Sequence, residues 1–156
     1  MLILILILIL VVPFLVFSFT HITPQEEVFI SLGDYEIVEY CQYGYIGDFT
    51  NYGKYTYEDP DLANNEYLNQ MTEEDIIELN SYIDNYEEWV DVIKEDITND
   101  MNKEFADTYD FDRSIISTND YCYIYNDNDY NNRFNSYDLY FYDTETEILY
   151  YFHNNI

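Results

Sequence analysis

The chain has 156 residues and carries 32 acidic side chains against five Lys and Arg, which gives a formal net charge of -27. Proteins bind phosphate groups mainly through Lys and Arg, so this charge argues against nucleic acids and anionic lipids as partners. It favours metal ions, basic peptides and basic protein surfaces. Composition leaves the oligomeric state open.

The first 25 residues contain no charged side chain, and residues 2–19 are apolar except for Pro13 and Ser18. A helix of that length nearly crosses a hydrocarbon core of about 30 Å. The sequence therefore predicts a membrane segment over residues 1–22, either an uncleaved signal anchor or a cleaved signal peptide. The lack of a basic region before the run favours the anchor. We expect a single-pass cell-membrane protein with its acidic part outside the cytoplasm, or a secreted protein if the segment is cleaved.

The rest of the chain is predicted to form a tether over residues 23–31 and one acidic α+β domain over residues 32–156, a length that suits a single core. The domain has two cysteines, Cys41 and Cys122. An even number of cysteines in an exported domain predicts one disulfide, and two buried free thiols are the alternative.

The first secondary structure expected is a hairpin. Residues 28–32 and 35–40 are apolar, β-favouring runs separated by a Gly-Asp pair, a signature of a tight turn. An aromatic stretch over residues 43–57 predicts a loop and a short further strand. The acidic, proline-containing residues 58–61 should end it.

A long helix is predicted to begin after Thr72, because a Thr hydroxyl and an acid three residues later can cap each other's backbone N–H groups. Apolar residues then recur every three or four positions, which predicts an amphipathic helix packed on a sheet, with a coiled coil as the alternative. The stripe consists of Ile76, Leu79, Ile83, Tyr86, Val90, Ile93 and Ile97. The helix should end near residue 98 or continue to Phe105.

Three more strands are predicted at residues 121–125, 137–142 and 148–152, which are rich in β-favouring residues and change the pattern to a period of two. The last two flank a turn-forming stretch at residues 143–146, so the three should form an antiparallel meander. The expected fold class is α+β, with a small antiparallel sheet of about five strands packed on one long amphipathic helix.

The middle strand of this meander should have two different faces. Tyr137, Leu139 and Phe141 are expected to be buried, whereas Asp138, Tyr140 and Tyr142 should lie on a wetter face. Exposed tyrosine rings can stack on sugars or peptides. A binding platform around Tyr140 is therefore one alternative to simple core and edge packing.

Residues 127–138 carry oxygen-bearing side chains at alternating positions, and the stretch resembles the twelve-residue calcium loop of the EF-hand family. The resemblance implies Ca²⁺ ligands at the first, third, fifth, seventh, ninth and twelfth positions, the seventh through its carbonyl. These positions hold Asp127, Asp129, Asn131, Arg133, Asn135 and Asp138. Asn132 replaces the usual turn glycine, and strands rather than helices are predicted on both sides. The alternative is a polar hairpin loop whose side chains bond their own backbone.

No enzyme is expected. The only histidines are His21 and His153, and the sequence has no Gly-rich phosphate loop, nucleophile elbow or His/Cys zinc spacing. A nucleophilic pair of Cys41 or Cys122 with His153 is the one arrangement left open.

The sequence as a whole predicts a non-enzymatic, membrane-tethered extracytoplasmic module whose acidic surface binds a basic protein or peptide, or metal ions. One alternative is a calcium-stabilised structural domain that uses residues 127–138. The other is an immunity-type inhibitor that caps a basic toxin or enzyme.

Overall fold

A six-stranded antiparallel sheet forms the centre of the computed structural model, which describes residues 24–45, 48–95, 100–126 and 136–155. The described helices and strands are, in chain order, α1 Pro24–Ser31, β1 Tyr35–Tyr45, β2 Asp48–Tyr57, β3 Asn69–Gln70, α2 Glu73–Glu95, α3 Asp100–Thr108, β4 Tyr121–Tyr125, β5 Ser136–Asp143 and β6 Ile148–Asn155. This confirms the α+β class. The sheet has six strands rather than about five, and three α-helices rather than one pack against it.

The strands follow the order β1-β2-β6-β5-β4-β3 across the sheet. The predicted meander is confirmed as β4, β5 and β6, with a turn over residues 144–147 between the last two. β2 pairs with β1 on one side and with β6 on the other. Strands from the beginning and from the end of the described chain are therefore neighbours in the sheet.

Helix α1 corrects the sequence prediction at the start of the domain. Residues 28–32 were expected as the first strand of a hairpin, and residues 23–31 as a tether, but Pro24–Ser31 is a helix. Val28 and Leu32 are each 1% exposed and pack on the sheet. The helix is stabilised by burial of this apolar side, which a local strand pattern does not reveal.

Helix α2 begins as predicted. The Thr72 backbone N–H donates to Asp75 Oδ2 at 2.7 Å, and the Asp75 N–H donates back to Thr72 Oγ1 at 3.3 Å. Six residues of the predicted stripe region are buried, namely Leu79, Tyr82, Ile83, Tyr86, Val90 and Ile93. The helix ends at Glu95, and the chain to Phe105 belongs in part to a second helix, α3.

Helices cover both faces of the sheet. α1 packs on one face, here called the α1 side, and α2 and α3 pack on the other, the α2 side. Alternate residues of β5 therefore enter two separate cores: Leu139 faces α2, and Tyr140 faces α1. The expected wetter face is wrong, since Tyr140 and Tyr142 are both buried and Tyr140 offers no stacking platform.

No helix of the described residues is long and apolar enough to cross a membrane. The predicted membrane segment, residues 1–22, lies outside the described residues. It stays a prediction.

Candidate functional site

The predicted calcium loop lies almost entirely outside the described residues, which resume at Ser136. Asp127, Asp129, Asn131, Arg133 and Asn135 all fall in that gap. Asp138 is described: it is a buried residue of β5 whose Oδ1 accepts hydrogen bonds within the domain. The described residues contain no cluster of three His, Cys, Asp or Glu side chains arranged to hold a metal ion.

Asp138 lies directly opposite His153 on β6, and the two form a buried polar centre on the α1 side. Asp138 Oδ1 is 2.7 Å from His153 Nδ1, and it accepts from Tyr151 OH at 2.7 Å and from Gln25 Nε2 at 2.8 Å. Phe49 of β2 stacks on the imidazole at 4.6 Å between ring centres. One carboxylate thus links α1 to β5 and β6.

The chemistry open to this centre depends on the second ring nitrogen of His153. An ionised Asp138 can only accept hydrogen bonds, which places the imidazole proton on Nδ1. His153 Nε2 then has a lone pair that could accept a proton or bind a metal. However, that atom is buried, and no described residue forms a hydrogen bond with it. A substrate in solvent has no contact with it.

The environment of the centre also affects Tyr151. Burial, followed by the nearby Asp138 carboxylate, raises the pKa of the Tyr151 hydroxyl well above its ordinary value. The phenol therefore stays protonated and acts as a hydrogen-bond donor at physiological pH. Tyr151 thus serves to hold Asp138 in place.

The predicted disulfide is not formed, and both cysteines are free. Cys41 is in β1 and Cys122 in β4, four strand steps apart in the sheet. Strands lie about 4.8 Å apart, so the two are separated by about 19 Å, whereas a disulfide needs Cα atoms within about 7 Å. Both side chains lie on the α2 side, whereas His153 lies on the α1 side, so neither thiol pairs with the imidazole.

Basic side chains in the described residues are confined to one side of the sheet. Lys54 bonds Glu39 and Asp110, and Arg113 bonds Asp84 and Glu87 of α2. The other two are Lys94, on α2 over the Tyr109 ring, and Lys103, on α3. The α1 side has no described base to neutralise its acids.

Three adjoining depressions mark the surface where α1 meets the first residues of β1. Their volumes are about 500, 330 and 440 Å³. The acids that line them, here called the acidic surface, are Glu27, Asp34, Glu36, Glu58 and Glu66. The sequence predicted an acidic surface but not its position. The available signal was the absence of Lys and Arg before Lys54 and again between Lys54 and Lys94.

Apolar side chains are exposed beside the acidic surface. Tyr35, Ile37 and Tyr40 of β1 are 42%, 62% and 45% exposed, and Ile30 of α1 is also exposed. α1 covers the neighbouring strands but leaves this part of β1 open. Acids next to open apolar side chains suit a partner that brings both positive charge and apolar contacts.

Comparison with models of known protein families, with curated proteins and with solved structures found no match to this chain.

Proposed function

We propose that this protein is a non-enzymatic binding module that is tethered to the cell membrane through residues 2–19 and binds a basic protein or peptide outside the cytoplasm. The acidic surface at the junction of α1 and β1 is its binding site. The observation that carries this proposal is that no described Lys or Arg forms an ion pair with any of the five acids of this surface, whereas Lys54 and Arg113 bond acids elsewhere in the fold.

Uncompensated carboxylates produce a negative potential that attracts a basic partner and speeds its association. Asp34, Glu36 and Glu58 are exposed around one depression of about 500 Å³. The aromatic rings of Tyr35 and Tyr57 line the same depression and supply contact area. Charge gives direction and specificity, and apolar burial gives the larger share of the binding free energy.

A binding role also agrees with the state of the buried centre. His153 Nε2, the atom with the most evident reactive potential, has no access to solvent. Asp138 instead fixes α1 against the sheet by accepting a hydrogen bond from Gln25 Nε2. It thereby holds the helix that forms one wall of the acidic surface.

The test compares two variants with the same change in net charge. The first neutralises the acidic surface with Asp34→Asn, Glu36→Gln and Glu58→Gln. The second neutralises exposed acids of α2 with Glu74→Gln, Glu78→Gln and Glu88→Gln. The probe is the capped peptide Lys-Val-Lys-Val-Lys-Val-Lys, and its Kd for the full-length chain in neutral detergent is measured by fluorescence anisotropy.

The proposal predicts that the first variant raises the Kd by about ten-fold or more, whereas the second changes it by less than about two-fold. Equal losses in the two variants would show that the peptide responds only to total charge. That result would remove the acidic surface as a specific site.

A further inference from the structure

The outer edge of β1, which adjoins the acidic surface, could also contact a partner. β1 is the last strand of the sheet on the β2 side, and no described strand pairs with its outer edge. At 11 residues it is also the longest described strand. An unpaired edge presents backbone N–H and C=O groups that can hydrogen-bond to another extended chain.

The two faces of this edge differ in chemistry. Tyr35, Ile37 and Tyr40 are opposite Tyr57, Tyr55 and Gly53 of β2, which places them on the α1 side. Glu39 is opposite Lys54 and points to the α2 side, as does Glu36, which neighbours Tyr35 in the strand. One face of the edge is therefore apolar. The other carries two acids, of which Glu39 is bonded to Lys54 and Glu36 forms no ion pair with a described base.

A β-bulge interrupts the pairing with β2 between Ile37 and Glu39 and leaves Val38 as the extra residue. Val38 is 56% exposed. Bulges and charges are ways in which proteins protect edge strands from self-association. Two copies of this chain would also bring two net charges of -27 together, so the edge disfavours a second copy.

We propose that β1 captures an extended segment of the partner by strand addition, and that this segment alternates apolar and basic residues. Its apolar residues would lie beside Ile37 and Tyr40, and its basic residues beside Glu36 of the acidic surface, because directly opposed side chains of neighbouring strands interact. This inference rests on the proposed function, since it states how the acidic surface holds its basic partner.

The test uses two peptides with the same charges and side chains. One is Lys-Val-Lys-Val-Lys-Val-Lys, and the other has the same sequence with every internal backbone nitrogen methylated. Methylation removes the N–H donors that a strand needs but leaves the Lys ammonium groups in place. Both are titrated against the full-length chain in neutral detergent, and hydrogen exchange of residues 35–40 is followed.

Strand addition predicts that methylation weakens binding by about ten-fold or more and that only the unmethylated peptide slows exchange in residues 35–40. Equal affinities with unchanged exchange would overturn strand addition but leave the acidic surface as the binding site. If neither peptide binds, strand addition and the proposed function both fail.

A matched pair of substitutions tests the apolar contact from the side of the protein. Ile37→Asn changes an apolar residue that the added strand would contact and that is 62% exposed, and Ile77→Asn changes an isoleucine of α2 that is 71% exposed. We expect Ile37→Asn to weaken binding of the unmethylated peptide by about three-fold or more and Ile77→Asn to have no effect. Equal effects would contradict docking along β1.

Discussion

Asp138 Oδ1 and His153 Nδ1 lie 2.7 Å apart on neighbouring strands, and the same carboxylate oxygen accepts hydrogen bonds from Tyr151 and Gln25. Three donors from α1 and β6 therefore converge on one atom of β5. Removing a charged acceptor from among buried donors costs more free energy than the hydrogen bonds themselves contribute. The reason is that the donors remain buried and cannot bond water instead. This makes Asp138 the residue that joins the two layers on the α1 side.

Asp138→Asn should lower the free energy of unfolding by about 1–3 kcal/mol, since it removes the charge that the three donors face. Tyr151→Phe, which removes one of the donors, should lower it by about 1 kcal/mol. Urea unfolding of the full-length chain measures both. Asp107→Asn, on the exposed surface of α3, is the control and should have an effect within about 0.5 kcal/mol. A loss for Asp138→Asn no larger than the control would contradict the role of this centre.

Acidification should remove the contribution of Asp110 to the free energy of unfolding. Partial burial alone would raise the pKa of this carboxyl, but hydrogen bonds from Lys54 and Tyr52 lower it below its ordinary value of 3.8. A carboxyl with a lowered pKa binds fewer protons in the folded state. Its contribution is therefore present above pH 3.8 and is lost as the pH falls through the lower, folded-state pKa.

The measurement for Asp110 is the difference in unfolding free energy between the wild type and Asp110→Asn between about pH 5 and pH 2. Protonation also lowers the repulsion among the many acids of this chain. That effect is the same in both proteins and cancels in the difference. The difference should not exceed about 1 kcal/mol at the higher pH, because the ion pair is partly exposed, and it should shrink at the lower pH. A difference that grows on acidification would reverse the assigned sign.

Both cysteines should be unreactive free thiols. Burial raises the pKa of Cys41 and of Cys122 to about 12 in each case. The thiolate is the reactive form, so a maleimide should label neither residue in the folded chain at neutral pH and both in urea. Dithiothreitol should leave the Tm unchanged. A measured mass two hydrogens below that of the reduced chain would show a disulfide. That result would contradict the separation of β1 and β4.

The EF-hand resemblance predicts that millimolar Ca²⁺ raises the Tm by several degrees, and more than Mg²⁺ does, for an affinity on the order of 10⁻⁴ to 10⁻³ M. Asp127→Ala combined with Asp129→Ala should abolish this rise. Asp138→Asn should instead lower the Tm by the same amount with and without Ca²⁺, because its Oδ1 bonds donors within the domain. No Ca²⁺-selective rise in the wild type would leave residues 127–138 as a polar hairpin loop.

Local signals in the sequence predicted much of this fold. The cap formed by Thr72 and Asp75 marks the start of α2, and the alternation of apolar residues locates β4, β5 and β6. The Asp138–His153 pair was not predicted. Counting outward from the predicted turn at residues 143–146 would place Asp138 opposite Tyr151, whereas the observed turn over residues 144–147 places Asp138 opposite His153.

Non-local packing explains what the sequence did not reveal. The residues around Val28 and Leu32 are apolar and favour β-structure. A helix is favourable there because it covers a face of the sheet that would otherwise be exposed. The place of β2 between β1 and β6 is likewise set by contacts distant in the chain. The acidic surface combines α1, β1 and the chain after β2, so its position requires the fold.

Zero-length carbodiimide cross-linking of the Lys-Val peptide to the full-length chain locates the binding surface, because it records which carboxylates contact the peptide ammonium groups. Binding at the acidic surface predicts that cross-links concentrate at Asp34, Glu36 and Glu58, with few at acids of α2 that are also exposed, such as Glu74 and Glu88. Cross-links spread over both sets in proportion to their exposure would contradict a specific binding surface at α1 and β1.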